Sequence, residues 1–191
     1  VNNTIALLAK TIAKYQPVTV LCRPVQLAQA KSKCGTRNIR FISVALDDIW
    51  MRDFGGCFVV DDQGGRGLVD FNFNGWGNKQ AHANDTLVAD ELSYQTNATY
   101  ISSQLTGEGG GIEIDGFGTA IITESCWVNS NRNPRLTRAQ IEAELKANLG
   151  LRKIIWLPGI KGKDITDAHV DFYARFASKG VVIANLDNDP N

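Results

Sequence analysis

The apolar positions of the first 45 residues recur at helix spacing and at strand spacing in turn. Apolar side chains three or four residues apart predict an amphipathic helix over residues 4–15, which Pro17 ends. The pattern then predicts a buried strand at 18–22, a helix at 26–33 and a strand at 39–44. Strands that alternate with helices indicate the α/β class.

From residue 46 onward the chain repeats one plan of polar loop, β-hairpin, helix and closing strand. In the first unit, 46–103, we predict strands at 57–61, 68–73 and 98–102 and a helix at 85–94. In the second, 104–158, we predict strands at 112–114, 119–123 and 154–157. Its helix is signalled by a Thr137/Gln140 capping box and by Gly150 at its end.

A third unit, 159–191, stops after a predicted hairpin, with strands at 170–176 and 181–185. Together with an N-terminal βαβ portion over 1–45, the units make one incomplete domain spanning 1–191. Because the last unit is only half built and residue 1 is not methionine, we expect the chain to be truncated at both ends.

The segment from His169 to Phe172 alternates polar and apolar residues, as a half-buried strand does. On a strand, residues two apart point to the same face, so His169 and Asp171 would project together. Such a pair can transfer protons while the aspartate holds a cation. A structural histidine, held by hydrogen bonds on an edge strand, explains the same residues equally well.

The composition narrows the class of partner. Apolar residues make up 43% of the chain, and 20 acidic residues balance 20 basic ones, as in a soluble globular protein. Zero net charge and the lack of a basic run argue against nucleic acid or an anionic membrane as partner. No apolar run is long enough to span a bilayer. The partners that the composition still allows are a small molecule and further copies of the same chain in a homo-oligomer.

The cysteines give no metal-binding signal. Cys22, Cys34, Cys57 and Cys126 form no CxxC pair and have no histidine at ligand spacing, so we expect no zinc site. Cys57 and Cys126 lie in or beside apolar runs, where a buried, inert thiol is the ordinary state. Cys22 and Cys34 could form a disulfide or remain free.

The location of the protein is left open by the sequence. N-x-S/T sequons at Asn2, Asn84 and Asn97 are compatible with secretion, but one or two would arise by chance in this composition. No signal peptide is recognisable in residues 1–20, and a cytoplasmic location is favoured over a secreted one.

The repeat places three ionisable residues at equivalent positions. Asp53, Glu108 and His169 each precede a hairpin turn by roughly ten residues, and equivalent positions of repeats lie on equivalent faces. We therefore expect these side chains to converge on one axis, where they could carry out acid/base chemistry on a cationic substrate. The plain alternative is that Asp53 pairs with Arg52 or another base and that Glu108 merely precedes a glycine-rich turn.

Four segments together resemble a known family. Trp50-Met51-Arg52-Asp53-x-Gly55, Glu108-Gly109-Gly110, Asn131-Arg132-Asn133-Pro134 and His169-Val170-Asp171 are similar to motifs of the agmatine deiminase and bacterial-type peptidylarginine deiminase family. The resemblance covers nearly the whole chain in order and spacing. It implies the guanidine-modifying superfamily and its fold, a five-bladed α/β propeller of ββαβ units, of which about three would be present here.

The resemblance also implies a reaction and a site. Asp53, Asp171 and Trp50 would bind the guanidinium of agmatine or an arginine derivative, while Glu108 and His169 would orient it and move protons. A cysteine thiolate would attack the guanidinium carbon, expel ammonia and leave a thiouronium that water hydrolyses to the ureido product. No metal or cofactor would be needed.

The chain departs from the family in three places. The family's nucleophilic cysteine lies in a glycine-rich segment near the C-terminus, which has no counterpart here, and Cys126 matches a different segment. Gly56 stands where proline is usual, and Ile165 where many agmatine-specific members carry an acid. Three hypotheses follow: a deiminase whose cysteine lies outside this chain, a non-catalytic guanidinium- or small-ligand-binding module, or an α/β fragment without a site.

Overall fold

A computed structural model of the protein describes residues 2–186. These residues fall into two compact units, 2–49 and 50–186. The chain ends on which the expected truncation rests, Val1 and 187–191, lie outside the described residues. Within the described part, no helix has the length and apolar character that crossing a bilayer requires.

The first unit is a small βαβ arrangement with an additional N-terminal helix. Its elements are α1 (Asn2–Ile12), β1 (Val18–Cys22), a 3₁₀ turn (Pro24–Gln26), α2 (Leu27–Cys34) and β2 (Ile39–Ser43). The two strands pair in parallel, and Ala6, Ala9, Cys34 and Ile39 form the buried core. The first helix ends three residues before the predicted Tyr15. Cys22 and Cys34 are free thiols, so the disulfide alternative is wrong.

In the described part of the second unit, residues 50–186, the strands form three sheets. Its elements are α3 (Met51–Phe54), β3 (Cys57–Val60), β4 (Arg66–Asp70), α4 (Gly75–Asn78), α5 (Val88–Thr96), β5 (Thr99–Ser102), β6 (Glu113–Ile114), β7 (Thr119–Thr123), α6 (Glu124–Trp127), α7 (Arg138–Leu149), β8 (Lys153–Leu157), β9 (Ala174–Ser178) and β10 (Val181–Ala184). Short 3₁₀ turns lie at Asp85–Leu87, Gly109–Gly111 and Val170–Phe172.

Two of these sheets share one topology. In β3-β4-β5 and in β6-β7-β8, an antiparallel hairpin is followed by a helix and a third strand that pairs in parallel with the hairpin's second strand. The strands β9 and β10 form an antiparallel hairpin. The chain is therefore an α/β protein with mixed sheets.

Local sequence signals explain the best-formed helix. Thr137 and Gln140 make the predicted capping box of α7, and Gly150 ends the helix in the left-handed conformation that glycine tolerates. The helix buries Ile141 and Leu145 in the main core, together with Val69, Ile122 and Trp127. This core holds the two mixed sheets together and fixes the loops at their edges.

The predicted strand at His169 is wrong. His169 and Val170 are both buried, Phe172 is 60% exposed, and residues Val170–Phe172 form a 3₁₀ turn, with β9 starting only at Ala174. The backbone turns here because the amides of Phe172 and Tyr173 donate to the carbonyls of His169 and Val170. The polar and apolar alternation in the sequence therefore reflects a tight turn that aims His169 inward.

Candidate active site

The three loops that precede hairpins converge around Gly110. Asp53 lies in α3 before β3, Glu108 precedes the Gly109–Gly111 turn before β6, and His169 precedes β9. A Cβ on Gly110 would lie 2.5 Å from His169 Nδ1, 2.6 Å from Asp53 Oδ1 and 3.0 Å from Asp171 Oδ2. Only glycine leaves room for these side chains, so the Gly109–Gly111 turn is the floor of the cage they form.

Asp53 is held by two hydrogen bonds that leave it free to accept more. Trp76 Nε1 donates to Oδ2 at 2.9 Å, and the Gly110 amide donates to Oδ1 at 3.1 Å. A carboxylate offers about four acceptor positions, so each oxygen still has a lone pair for a ligand. The described ion pairs join Asp53 to no lysine or arginine; the base beside it is His169, whose Nδ1 lies 3.6 Å from Oδ1.

The side chain of Trp76 reaches Asp53 from an unusual backbone conformation. Its φ and ψ are 58° and 46°, in the left-handed region that non-glycine residues seldom occupy. Its indole packs edge-on against Phe73, at 5.1 Å between ring centroids. Strain of this kind persists where the surrounding structure enforces it, and here it brings an N–H to the Asp53 carboxylate.

Glu108 is fully buried and surrounded by donors. Arg132 Nε lies 2.9 Å from both Glu108 oxygens, His169 Nε2 lies 3.1 Å from Oε2, and the Cys126 thiol lies 3.7 Å from the same oxygen. Burial would raise the pKa of Glu108, but the hydrogen bond from His169 and the charge of Arg132 outweigh it and hold that pKa below its usual value. Glu108 is therefore a carboxylate that accepts hydrogen bonds.

This charge state of Glu108 fixes the proton on one imidazole nitrogen. An ionised carboxylate only accepts, so His169 Nε2 must carry the hydrogen that lies between them. Nδ1, the other ring nitrogen, lies 3.6 Å from Asp53 Oδ1, within ion-pair distance but beyond a hydrogen bond. His169 thus stands between two carboxylates, an arrangement suited to proton transfer.

A second layer of charges lies behind Glu108. Arg132 Nη1 donates to Asp167 Oδ2 at 2.8 Å, and Lys79 Nζ donates to the same oxygen at 2.8 Å. Burial would raise the pKa of Asp167, but the hydrogen bonds from Lys79 and Arg132 hold it well below its usual value. The pKa of Asp53 changes in the opposite direction. Burial raises it, and the nearby charge of His169 lowers it by less than burial raises it.

The formal charges of the site add up to an excess of negative charge. Asp53, Glu108, Asp167 and Asp171 contribute four negative charges, and Arg132 and Lys79 contribute two positive ones. The sum is −2 with neutral His169 and −1 with the imidazolium. Among the described contacts, Glu108 and Asp167 pair with Arg132 and Lys79, whereas Asp53 and Asp171, which lie beside Gly110, pair with neither. The site therefore suits a single, small organic cation.

Among residues 2–186, one group of side chains has the donor types of a metal site. Glu108, Cys126 and His169 bring their ligand atoms within 4.8 Å of one another. The Arg132 guanidinium already pairs with both oxygens of Glu108, and burial holds the pKa of the Cys126 thiol well above its usual value. These contacts match a hydrogen-bonded cluster better than a cation centre.

The structure brings together four of the five predicted site residues. Asp53, Glu108, His169 and Asp171 all surround Gly110 or contact one another. The fifth, Trp50, is 53% exposed. Its backbone carbonyl accepts a hydrogen bond from the Asp53 amide at 2.9 Å. Its contact with a substrate stays a prediction, as do the roles of the other four.

Sequence reasoning missed the supporting residues Arg132, Asp167, Lys79 and Trp76. Arg132 stands in the quoted Asn131–Pro134 motif, so a signal was present, but no role followed from it. Asp167 lies two residues before His169 and could have been suspected from proximity. Nothing in the local sequence marks Lys79 or Trp76, because their partners are 88 and 23 residues away.

Comparison with known proteins shows which proteins this chain is similar to. A relative named agmatine deiminase from Stutzerimonas stutzeri is 41% identical over 195 residues, covering 97% of this chain and 53% of the relative. The solved agmatine deiminase of Enterococcus faecalis, described as catalysing its reaction, superposes with a TM-score of 0.91 at 29% identity, over 97% of this chain and 52% of that one.

A third comparison concerns a structure with ligand. The C. jejuni agmatine deiminase, solved as a variant with substrate bound, superposes with a TM-score of 0.83 at 32% identity, over 93% of this chain and 53% of that one. The present chain thus spans about half the length of the relatives it matches. All 191 residues match the model of the Porphyromonas-type peptidyl-arginine deiminase family. The chain belongs to that family.

Proposed function

We propose that this chain carries the substrate-holding half of a guanidine iminohydrolase that converts agmatine or an arginine-like guanidine to its ureido product and ammonia. The observation that carries the proposal is the cage at Gly110, where Asp53, Asp171 and His169 come within 3.0 Å of one point. Relatives named agmatine deiminase, one of them with substrate bound, support the same activity.

The two aspartates would bind the guanidinium. A planar guanidinium donates pairs of parallel N–H groups, and carboxylates are its natural bidentate partners. Asp53 keeps a free lone pair on each oxygen, and Asp171 faces it across Gly110. One guanidinium would reduce the net charge of the site from −2 to −1 with neutral His169, and from −1 to zero with the imidazolium. The half-exposed Trp50 ring would cover the substrate from the side of α3.

Glu108 and His169 would handle the protons. Deimination removes one amino group as ammonia and adds the oxygen of water, so the leaving nitrogen must gain a proton and the water must lose one. The imidazole of His169 lies between Glu108 and Asp53, where it would give and take the proton. Glu108, ionised and anchored by Arg132, keeps the ring in place.

The nucleophile would come from outside these 191 residues. Attack of a cysteine thiolate on the guanidinium carbon, loss of ammonia, and hydrolysis of the thiouronium by water together give the ureido product. Cys126 is unsuited to that role because it is fully buried, points at the Glu108 carboxylate and has a pKa raised by burial. In the fold that the family resemblance implies, the three sheets of the second unit would form about three blades of a five-bladed propeller.

The test is an assay of ammonia and ureido product with the protein translated from its complete reading frame. Agmatine and arginine derivatives should be turned over, and Asp53→Asn and His169→Ala should each abolish turnover. Calorimetry with the 191-residue chain gives the second readout. If the protein from the complete reading frame binds agmatine but does not turn it over, the guanidinium-binding module is favoured. If neither protein binds agmatine and no turnover is seen, both functions are refuted.

A further inference from the structure

Arg132 contacts more of the site than any other supporting residue described here. Its side chain is completely buried. Nε donates to both oxygens of Glu108, Nη1 donates to Asp167 and to Asn131 Oδ1, and Nη2 donates to the Thr166 carbonyl at 2.9 Å. A guanidinium has five N–H donors in a rigid plane, and nearly all of them are used here.

These contacts reach both proposed proton-handling residues from different sides. Glu108 is held directly. His169 is held through its own loop, since Thr166 Oγ1 accepts the His169 amide at 3.0 Å and the Thr166 carbonyl accepts from Arg132. The loop between them turns through the left-handed pair Asp167 and Ala168, and Asp167 is fixed by Arg132 and Lys79. One planar group thus sets the relative position of Glu108 and the imidazole.

We propose that Arg132 is the positioning residue of the reaction: through Glu108 on one side and the Thr166–Asp167 turn on the other, it fixes the 3.1 Å contact between Glu108 and His169. The inference rests on the proposed function. Arg132 itself touches no substrate, because its side chain is fully buried behind Glu108.

A purely structural role would leave a different signature. A structural residue changes the amount of folded protein, whereas a positioning residue changes turnover per folded molecule. Arg132 also keeps the buried Glu108 ionised, and a buried carboxyl that loses its counter-charge takes up a proton more readily. The pH dependence of turnover therefore separates the two roles.

The experiment uses the protein from the complete reading frame, with agmatine as substrate, and normalises rates to folded protein. Arg132→Lys keeps the charge but cannot reach three partners at once. We expect its kcat to fall about 10- to 100-fold, as a displacement of about 1 Å implies, with KM within about threefold of the parent value. Arg138→Lys is the control, because Arg138 is half exposed and pairs with Glu124, outside the site.

Arg132→Met removes the charge as well. Its acidic limb of kcat/KM should move to higher pH by at least about one unit, while that of Arg132→Lys should not move. If Arg132→Met fails to fold, the kcat of Arg132→Lys decides: a value within about twofold of the Arg138→Lys control overturns the proposal. An unmoved acidic limb in folded Arg132→Met also overturns it. An inactive parent protein, in contrast, refutes the proposed function itself.

Discussion

Gly110→Ala is the sharpest perturbation of the cage. The backbone of Gly110 has no positive φ, so alanine is conformationally allowed, and the only obstacle is space. The added Cβ would lie 2.5 Å from His169 Nδ1 and 2.6 Å from Asp53 Oδ1, whereas ordinary contact begins at 3.4 Å. One or both side chains must therefore move by about 0.9 Å (3.4 − 2.5).

A displacement of this size lies in the range that disables a catalytic arrangement. Misplacing reacting groups by about 1 Å costs roughly 100-fold in rate, which corresponds to about 2.7 kcal/mol of transition-state stabilisation. The displaced Asp53 would also lose the hydrogen bond from the Gly110 amide. We expect kcat/KM for agmatine to fall by about two orders of magnitude, measured as ammonia release by the protein from the complete reading frame.

Gly65→Ala is a matched control for the overlap alone. Its Cβ would meet Asp61 Oδ2 at 2.5 Å, a distance equal to the one at Gly110, but Asp61 is an exposed side chain in the β3–β4 turn and can rotate away. Gly65→Ala should keep the activity of the parent. Urea unfolding of both variants corrects the rates for folded protein. An activity of Gly110→Ala within about threefold of Gly65→Ala would refute the assignment of the cage.

Three further predictions concern stability and association. Ala168→Gly should raise the free energy of unfolding by about 0.5–1 kcal/mol in urea titrations, because it relieves a left-handed alanine, and a decrease would show that this turn is unstrained. Since the pKa of Asp167 is depressed in the folded state, its stabilising effect should be present at pH 7 and lost as the pH falls below about 4. The free-energy difference between the parent and Asp167→Asn should therefore shrink from pH 7 to pH 3, and a constant difference would contradict the ion-pair explanation. Ile183→Lys should reduce self-association of the 191-residue chain in sedimentation velocity, because Ile183 is 66% exposed on β10. Ser178→Lys, which adds an equal charge at a polar exposed position of β9, should not do so.

Local chemistry in the sequence predicted most of the secondary structure. The α7 helix was predicted from its capping box and its terminal glycine, and both act as expected. The hairpins followed from turns rich in glycine and aspartate between apolar runs. These signals work because the responsible residues are within four positions of one another. Where the backbone is set by distant partners, as at His169, the alternation of polar and apolar residues was misleading.

The departure at Gly56 shows how a family pattern and a local conformation can be reconciled. The family resemblance implies proline at this position, and a proline ring would fix φ near −65°. Here Gly56 has a φ of 72°, and a Cβ would lie 2.6 Å from the Leu68 side chain and 2.8 Å from the Val69 carbonyl. The glycine is therefore required by this backbone path from α3 into β3.

The residues around the cage were predictable to the extent that they share a register. Asp53, Glu108 and His169 stand at comparable positions before successive hairpins, so topology alone brings them together once the sheets form. Arg132 and Asp167 share no such register. Their importance comes from burial, because a carboxylate removed from water is costly unless a cation and further donors compensate it. The sequence places Glu108 at the centre of the site, but the hydrogen bond and the charge that keep it ionised come from His169 and Arg132, in loops 61 and 24 residues further along the chain.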